Sequence, residues 1–134
     1  LHVLCACKSR ALILLYNASA LEQQLKCDEV CRILEAYGYK NAARTEEKLK
    51  KLAERIQENP GFPHEIGVFL GYPPEDVIGF IQNRGENYQL CGYWKVYSNA
   101  EKAARTFQTY DKCRNFLCNK LNQGYDIYQA LRIS

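Results

Sequence analysis

The first clear signal along the chain is Ala11–Tyr16, an uninterrupted apolar run (ALILLY) with the length of a buried strand. Ser19-Ala-Leu-Glu22 follows with the spacing of a capping box, in which the hydroxyl accepts from a backbone N–H and the carboxylate reaches back to the cap. Leu21, Leu25, Val30, Ile33, Leu34 and Tyr37 then recur at helical spacing, with a break near Lys26–Asp28. Gly38 supplies a left-handed stop. Thr45 reads as the N-cap of the next helix, with Glu46 and Glu47 in the first turn, where the dipole favours anions. Its apolar stripe is Leu49, Leu52, Ala53 and Ile56, and Asn59-Pro60-Gly61 ends it.

Ile66–Leu70 (IGVFL) predicts a second strand, apolar on both faces like a central strand of a covered sheet. Gly71-Tyr-Pro-Pro74 turns the chain into a short helix whose Val77, Ile78, Phe80 and Ile81 face inward, and Gly85 stops it. Tyr93–Tyr97 (YWKVY) alternates as a third strand, with Trp94 and Val96 on one side and Tyr93, Lys95 and Tyr97 on the other. Ser98 to Glu101 has the spacing of a second capping box. The longest helix follows, with Ala103, Phe107, Tyr110, Cys113, Leu117 and Leu121 as its inward stripe. Gly124 ends it, and Tyr125–Leu131 reads as a last short helix. The order β-α-α-β-α-β-α-α predicts one α/β domain over 1–134, a small three-stranded or slightly larger mixed sheet covered by about five helices. The alternative is an α+β domain with an antiparallel sheet.

Composition supports a packed core, since 47% of residues are apolar and 25% charged, as in ordinary globular chains. No apolar stretch is long enough to span a membrane, and LHVLCAC lacks the charged n-region and long h-region of a signal peptide. Charge is uneven. Residues 1–100 hold 12 basic and 12 acidic residues, so the net +3 lies entirely in 101–134. This is a mild tilt and not the concentrated basic stripe of a nucleic-acid binder, so nucleic acid is an unexpected partner. Seven cysteines, an odd number at spacings that match no C-x-x-C site, read as reduced thiols in a reducing cytosol.

FPHEIGVFLGYPPEDVIGFI (62–81) followed by CGYWKVY (91–97) resembles the signature of domain-of-unknown-function family 3793, which occurs in anaerobic, mostly clostridial bacteria of the Firmicutes. The resemblance runs from Phe62 to about Tyr110, and the strand and helices before it agree in pattern. It implies a bacterial cytoplasmic protein. It implies no activity, no cofactor and no site residues.

Candidate chemistry therefore comes from the residues. On a strand, Tyr93, Lys95 and Tyr97 would form a ladder that, with His64 and Tyr72, could line a pocket for a small molecule, a redox cofactor or a protein partner. The plainer reading, a sheet face covered by a helix with polar tips at the rim, is favoured. An enzyme would need His64, Glu65, Lys95 or a cysteine in one cleft, for instance Cys91 with His64. His64 and Glu65 would point to opposite faces of a strand and so not form an acid–base pair. A metal or cluster would need Cys5, Cys7, Cys27 and Cys31 to converge, which nothing local requires. The Leu70–Asp76 turn resembles a phosphate-binding turn, but Glu75 and Asp76 occupy its first helical turn and no glycine fingerprint accompanies it. A binding or adaptor module is the preferred reading, with an enzyme and a Cys-ligated metal protein as alternatives.

Overall fold

The structure, a computed structural model, describes residues 1–132 and divides into two compact units, one from Leu1 to Glu86 and one from Asn87 onward. Both mix helices with two-stranded antiparallel sheets, so the architecture is α+β.

The first unit opens with β1 (His2–Ala6) and β2 (Ala11–Leu14), an antiparallel hairpin with an irregularity between Val3 and Cys5. Leu4 and Leu14 point inward while Val3 and Ile13 stay exposed, the alternation expected of a half-covered sheet. β1 was not foreseen, because its pattern is short and its Cys7–Arg10 turn lacks glycine and asparagine. α1 (Ala18–Leu25) and α2 (Asp28–Ala36) are separated at Lys26–Cys27, where the sequence suggested a break. Asn17, not Ser19, caps α1: its side chain accepts from the Ala20 N–H at 2.9 Å. α3 (Thr45–Glu58) begins one residue earlier than a Thr45 cap would allow. There Glu47 accepts from the Ala43 and Arg44 backbone N–H groups at 2.8 and 3.2 Å. Leu25, Val30, Leu49, Leu52 and Val68 are fully or almost fully buried between these helices and the hairpin.

The expected second strand is a correction. Residues of IGVFL form a single buried helical turn, α4 (Ile66–Phe69), followed by α5 (Pro74–Asn83). The Tyr72 N–H donates to the Gly67 carbonyl at 3.0 Å and the Gly71 N–H to the Val68 carbonyl at 3.3 Å, with Gly71 at φ +78°, a Schellman stop. A short unbroken apolar run has no periodicity to separate helix from strand. Gly67 allows α4 and α5 to approach, since a Cβ there would lie 2.9 Å from Val77 Cγ2. The mixed three-stranded sheet and its helical crossovers are replaced by two separate hairpins.

The second unit holds β3 (Leu90–Cys91) and β4 (Lys95–Val96), paired Leu90 to Val96 and Cys91 to Lys95, then α6 (Ala100–Asn122) and α7 (Ile127–Leu131). Asn99, not Ser98, caps α6, accepting from the Lys102 N–H at 3.0 Å. The strand expected over Tyr93–Tyr97 shrinks to two residues because Gly92–Trp94 form the turn. Phe107 fills the space beside Gly92, where a Cβ would overlap its ring. Gly124, at φ +91°, ends α6 with the Tyr125 N–H bonded to the Lys120 carbonyl at 3.2 Å. Asp126 and Gln129 then form a reciprocal capping box that starts α7.

Candidate functional site

The second unit buries little. Trp94 stacks edge-on to Phe107 at 4.6 Å, and Val96, Ala103 and Ala130 are buried as well. Beyond Phe107 the stripe expected to face inward lies open: Tyr110, Cys113 and Leu121 are exposed and Leu117 is half-buried. Phe116 and Tyr128 are 55% and 61% exposed, and Tyr125, Ile127 and Leu131 join them on the surface. α7 packs back on α6. On α6, Phe116 and Lys120 are four residues apart and share a side next to the one that carries Tyr110, Cys113, Leu117 and Leu121. The Lys120 ammonium lies 5.7 Å from the Phe116 ring and 4.8 Å from the Tyr125 ring, a cation held among aromatics.

The hairpin beside this face accounts for the Tyr–Lys–Tyr ladder. Tyr93 sits in the turn, not on the strand, and its ring meets Phe107 at 5.7 Å and Tyr110 at 5.2 Å. Tyr93 and Trp94 therefore contact the same helix, which strict strand alternation would forbid. The Tyr93 hydroxyl donates to Asp111 at 2.7 Å, and that bond raises the phenol's pKa. The Lys95 ammonium lies 4.8 Å over the Tyr88 ring, and Tyr97 is half-buried.

His64 and Tyr72 belong to the first unit. His64 is exposed with its ring 5.2 Å from Phe80, and its strand-phase placement with Ile66, Val68 and Leu70 disappears with the strand. Glu65 is 0% exposed and is bound on three sides: by Arg55 through Nε, by Arg55 Nη2 at 3.5 Å and by the Tyr39 hydroxyl at 3.2 Å. Arg55 also lies 5.1 Å over the Tyr37 ring. Burial, with the neighbouring carboxylate second, pushes both the Tyr39 and Tyr37 hydroxyls above their usual pKa, Tyr39 furthest. This network is a buried charge with its partners satisfied, and it presents no open carboxylate to a substrate.

A groove of about 420 Å³ runs in the first unit between the end of β2, α1 and α4. Its lining is apolar apart from Asn17, Tyr16 and Gln24, and Gln24 donates to the Tyr72 carbonyl at 3.1 Å. Cys7 is exposed in the hairpin turn, and Cys5, Cys27 and Cys31 are half-buried. Among the described residues, no three His, Cys, Asp or Glu side chains are grouped so as to hold a metal ion. Backbone N–H groups of Ser9 and then Arg10 lower the Cys7 thiol's pKa. Cys91, Cys113 and Cys118 are exposed. No helix among the described residues is long and apolar enough to cross a membrane.

A family model described as "Protein of unknown function (DUF3793)" matches residues 1–131. The chain belongs to that family. The match takes in both units and includes the opening hairpin, which the motifs at 62–81 and 91–97 did not reach. No curated protein and no solved structure matches the chain.

The sequence did not single out Phe116, Lys120, Tyr125 and Tyr128 as candidate site residues. Two signals pointed there. The charge excess falls in this segment, and the helix has more apolar positions than one short hairpin can cover.

Proposed function

We propose that this family member is a small binding module that docks another protein through the α6–α7 face. The observation that carries the reading is the exposed cluster in which Lys120 lies against Phe116 and Tyr125, with Tyr128 and the open stripe beyond Phe107 leaving further apolar side chains exposed on α6 and α7. Contiguous exposed apolar surface rimmed by polar groups marks interaction sites, and tyrosine and phenylalanine are typical anchors of such sites. The hairpin with Tyr93, Lys95 and Tyr97 acts as a brace for α6, with Tyr93 also bordering the docking surface. The family match over both units supports reading 1–134 as one inherited domain. Bacterial origin and a cytoplasmic location accompany this reading, as the family resemblance implies.

The test places a photo-crosslinking amino acid at Phe116, at Tyr128 or, as a control, at Glu46 of the full chain in living cells. The expected result is one discrete heteromeric product from positions 116 and 128, absent at 46 and lost with Leu121→Asp. No product, or the same products from all three positions, would sink the proposal.

A second reading, small-molecule binding, is supported by the groove beside α1 and α4. Its uncharged lining suits an apolar ligand with one or two hydrogen-bonding groups. Titration with 8-anilinonaphthalene sulfonate should then shift amide signals of Leu14–Gln24 and Val68–Gly71 first. Shifts scattered over the chain would count against it.

A further inference from the structure

Resting on the docking reading above, we infer that the α6–α7 face takes up an acidic amphipathic helix of its protein partner, with carboxylates that pair with Lys120 and Lys112. The argument begins with Lys120. Lys120 is half-buried with its ammonium against the Phe116 and Tyr125 rings, and no ion pair joins it to a carboxylate among the described residues. A partner that covers those rings strips water from the ammonium, which is costly unless the partner brings an anion.

Among the described residues the unit's acidic side chains are already engaged elsewhere. Glu101 faces Arg105 at 3.5 Å. Asp111 accepts from Tyr93 at 2.7 Å and meets Arg114 at 3.7 Å. Asp126 accepts from the Gln129 N–H at 2.8 Å as the cap of α7. From Asn87 onward the chain carries seven basic and three acidic residues, so the surplus is positive. A second copy of the chain would set Lys112 and Lys120 against their own kind, which disfavours self-association.

Spacing defines the occupant further. Lys112, Phe116 and Lys120 follow one another at i, i+4 and i+8 on α6 and so share one row. Lys112 and Lys120 are then about 12 Å apart along the axis. A partner helix with carboxylates two turns apart and apolar residues between them meets both cations and covers Phe116. A straight row with Phe116 between two cations and Tyr125 beside it suits a helix better than an extended peptide.

The test uses the full chain, labelled with ¹⁵N, and three synthetic helical peptides of identical leucine and phenylalanine pattern. They carry Glu, Gln or Lys at two positions two turns apart. The Glu peptide is expected to shift α6 and α7 amide signals and to bind at least ten-fold tighter than the Gln peptide. That advantage should vanish in Lys112→Gln/Lys120→Gln, whose unfolding midpoint should match the parent. The Lys peptide should not bind. Equal binding of the Glu and Gln peptides on α6–α7 would overturn the acidic preference and leave the docking reading standing. If no peptide shifts α6–α7, both fail, whether or not phosphatidylcholine–phosphatidylglycerol vesicles or a single-stranded oligothymidylate bind there instead.

Discussion

The two units treat apolar and charged residues in opposite ways. The first covers its leucines and valines and even encloses a carboxylate, Glu65, with an arginine and a tyrosine as partners. The second closes a small aromatic cluster around Phe107, leaves most of its remaining apolar stripe in water and holds a half-buried lysine against the exposed Phe116 and Tyr125. Their charge differs too: the first carries 11 basic and 12 acidic residues, the second seven and three. Burial in the first unit therefore stabilises the fold, whereas the exposed side chains of the second contribute little to it, and the proposed docking reading rests on that difference.

The largest expected effect lies in the first unit. Arg55→Ala leaves the Glu65 carboxylate enclosed without its cation, and urea unfolding should show a loss of about 3–5 kcal/mol. The double variant Arg55→Met/Glu65→Leu should recover most of it, since a packed apolar pair replaces the buried charges. A loss below about 1 kcal/mol in the single variant would mean the carboxylate is not enclosed. Leu49→Ala, at a fully buried position, should cost about 2–5 kcal/mol by the same measurement.

In the second unit, Gly92→Ala forces a methyl group into the Phe107 ring and should cost about 1–3 kcal/mol. An unchanged midpoint would show that α6 does not press on the hairpin turn. A pH dependence should separate the units further. The folded state holds the Tyr39 and Tyr37 phenolic protons more tightly than the unfolded chain does. Their stabilisation is complete below the ordinary tyrosine value of about 10 and is lost as the pH rises above it. Stability measured from pH 8 to 12 should fall, and Tyr39→Phe should flatten part of that fall; an identical slope in the variant would assign the loss elsewhere. The smallest effect leaves stability untouched. Iodoacetamide at pH 7 should modify Cys7 faster than Cys91, Cys113 or Cys118, because turn N–H groups favour its thiolate. Equal rates would remove that argument.

Much of the helical fold was legible. The break after Leu25, the α3 stripe through Leu49 and Leu52 and the Gly124 stop all follow from local periodicity and glycine geometry. Ile66–Leu70 was not legible, because a short unbroken apolar run reads the same in a mostly buried helical turn as in a central strand. Cap positions slipped by one or two residues where Asn17 and Asn99 competed with Ser19 and Ser98 for the same role. The candidate site was half legible. The apolar stripe of α6 and the positive excess were both visible, but a sequence pattern gives the direction of a face and not whether anything covers it. The cation among Phe116, Lys120 and Tyr125 depends on the Gly124 turn bringing Tyr125 back toward Lys120, which only the folded chain reveals.

The division between a face that holds the protein together and a face kept for something else reduces to one quantity. It is the unfolding free energy of the full chain with Phe116, Leu121 and Tyr128 all changed to serine. If α6–α7 is open to water, three surface changes at about 0.5 kcal/mol each should leave the variant within about 1.5 kcal/mol of the parent, with helical content unchanged. A loss above about 3 kcal/mol, the signature of emptied core sites, would contradict it.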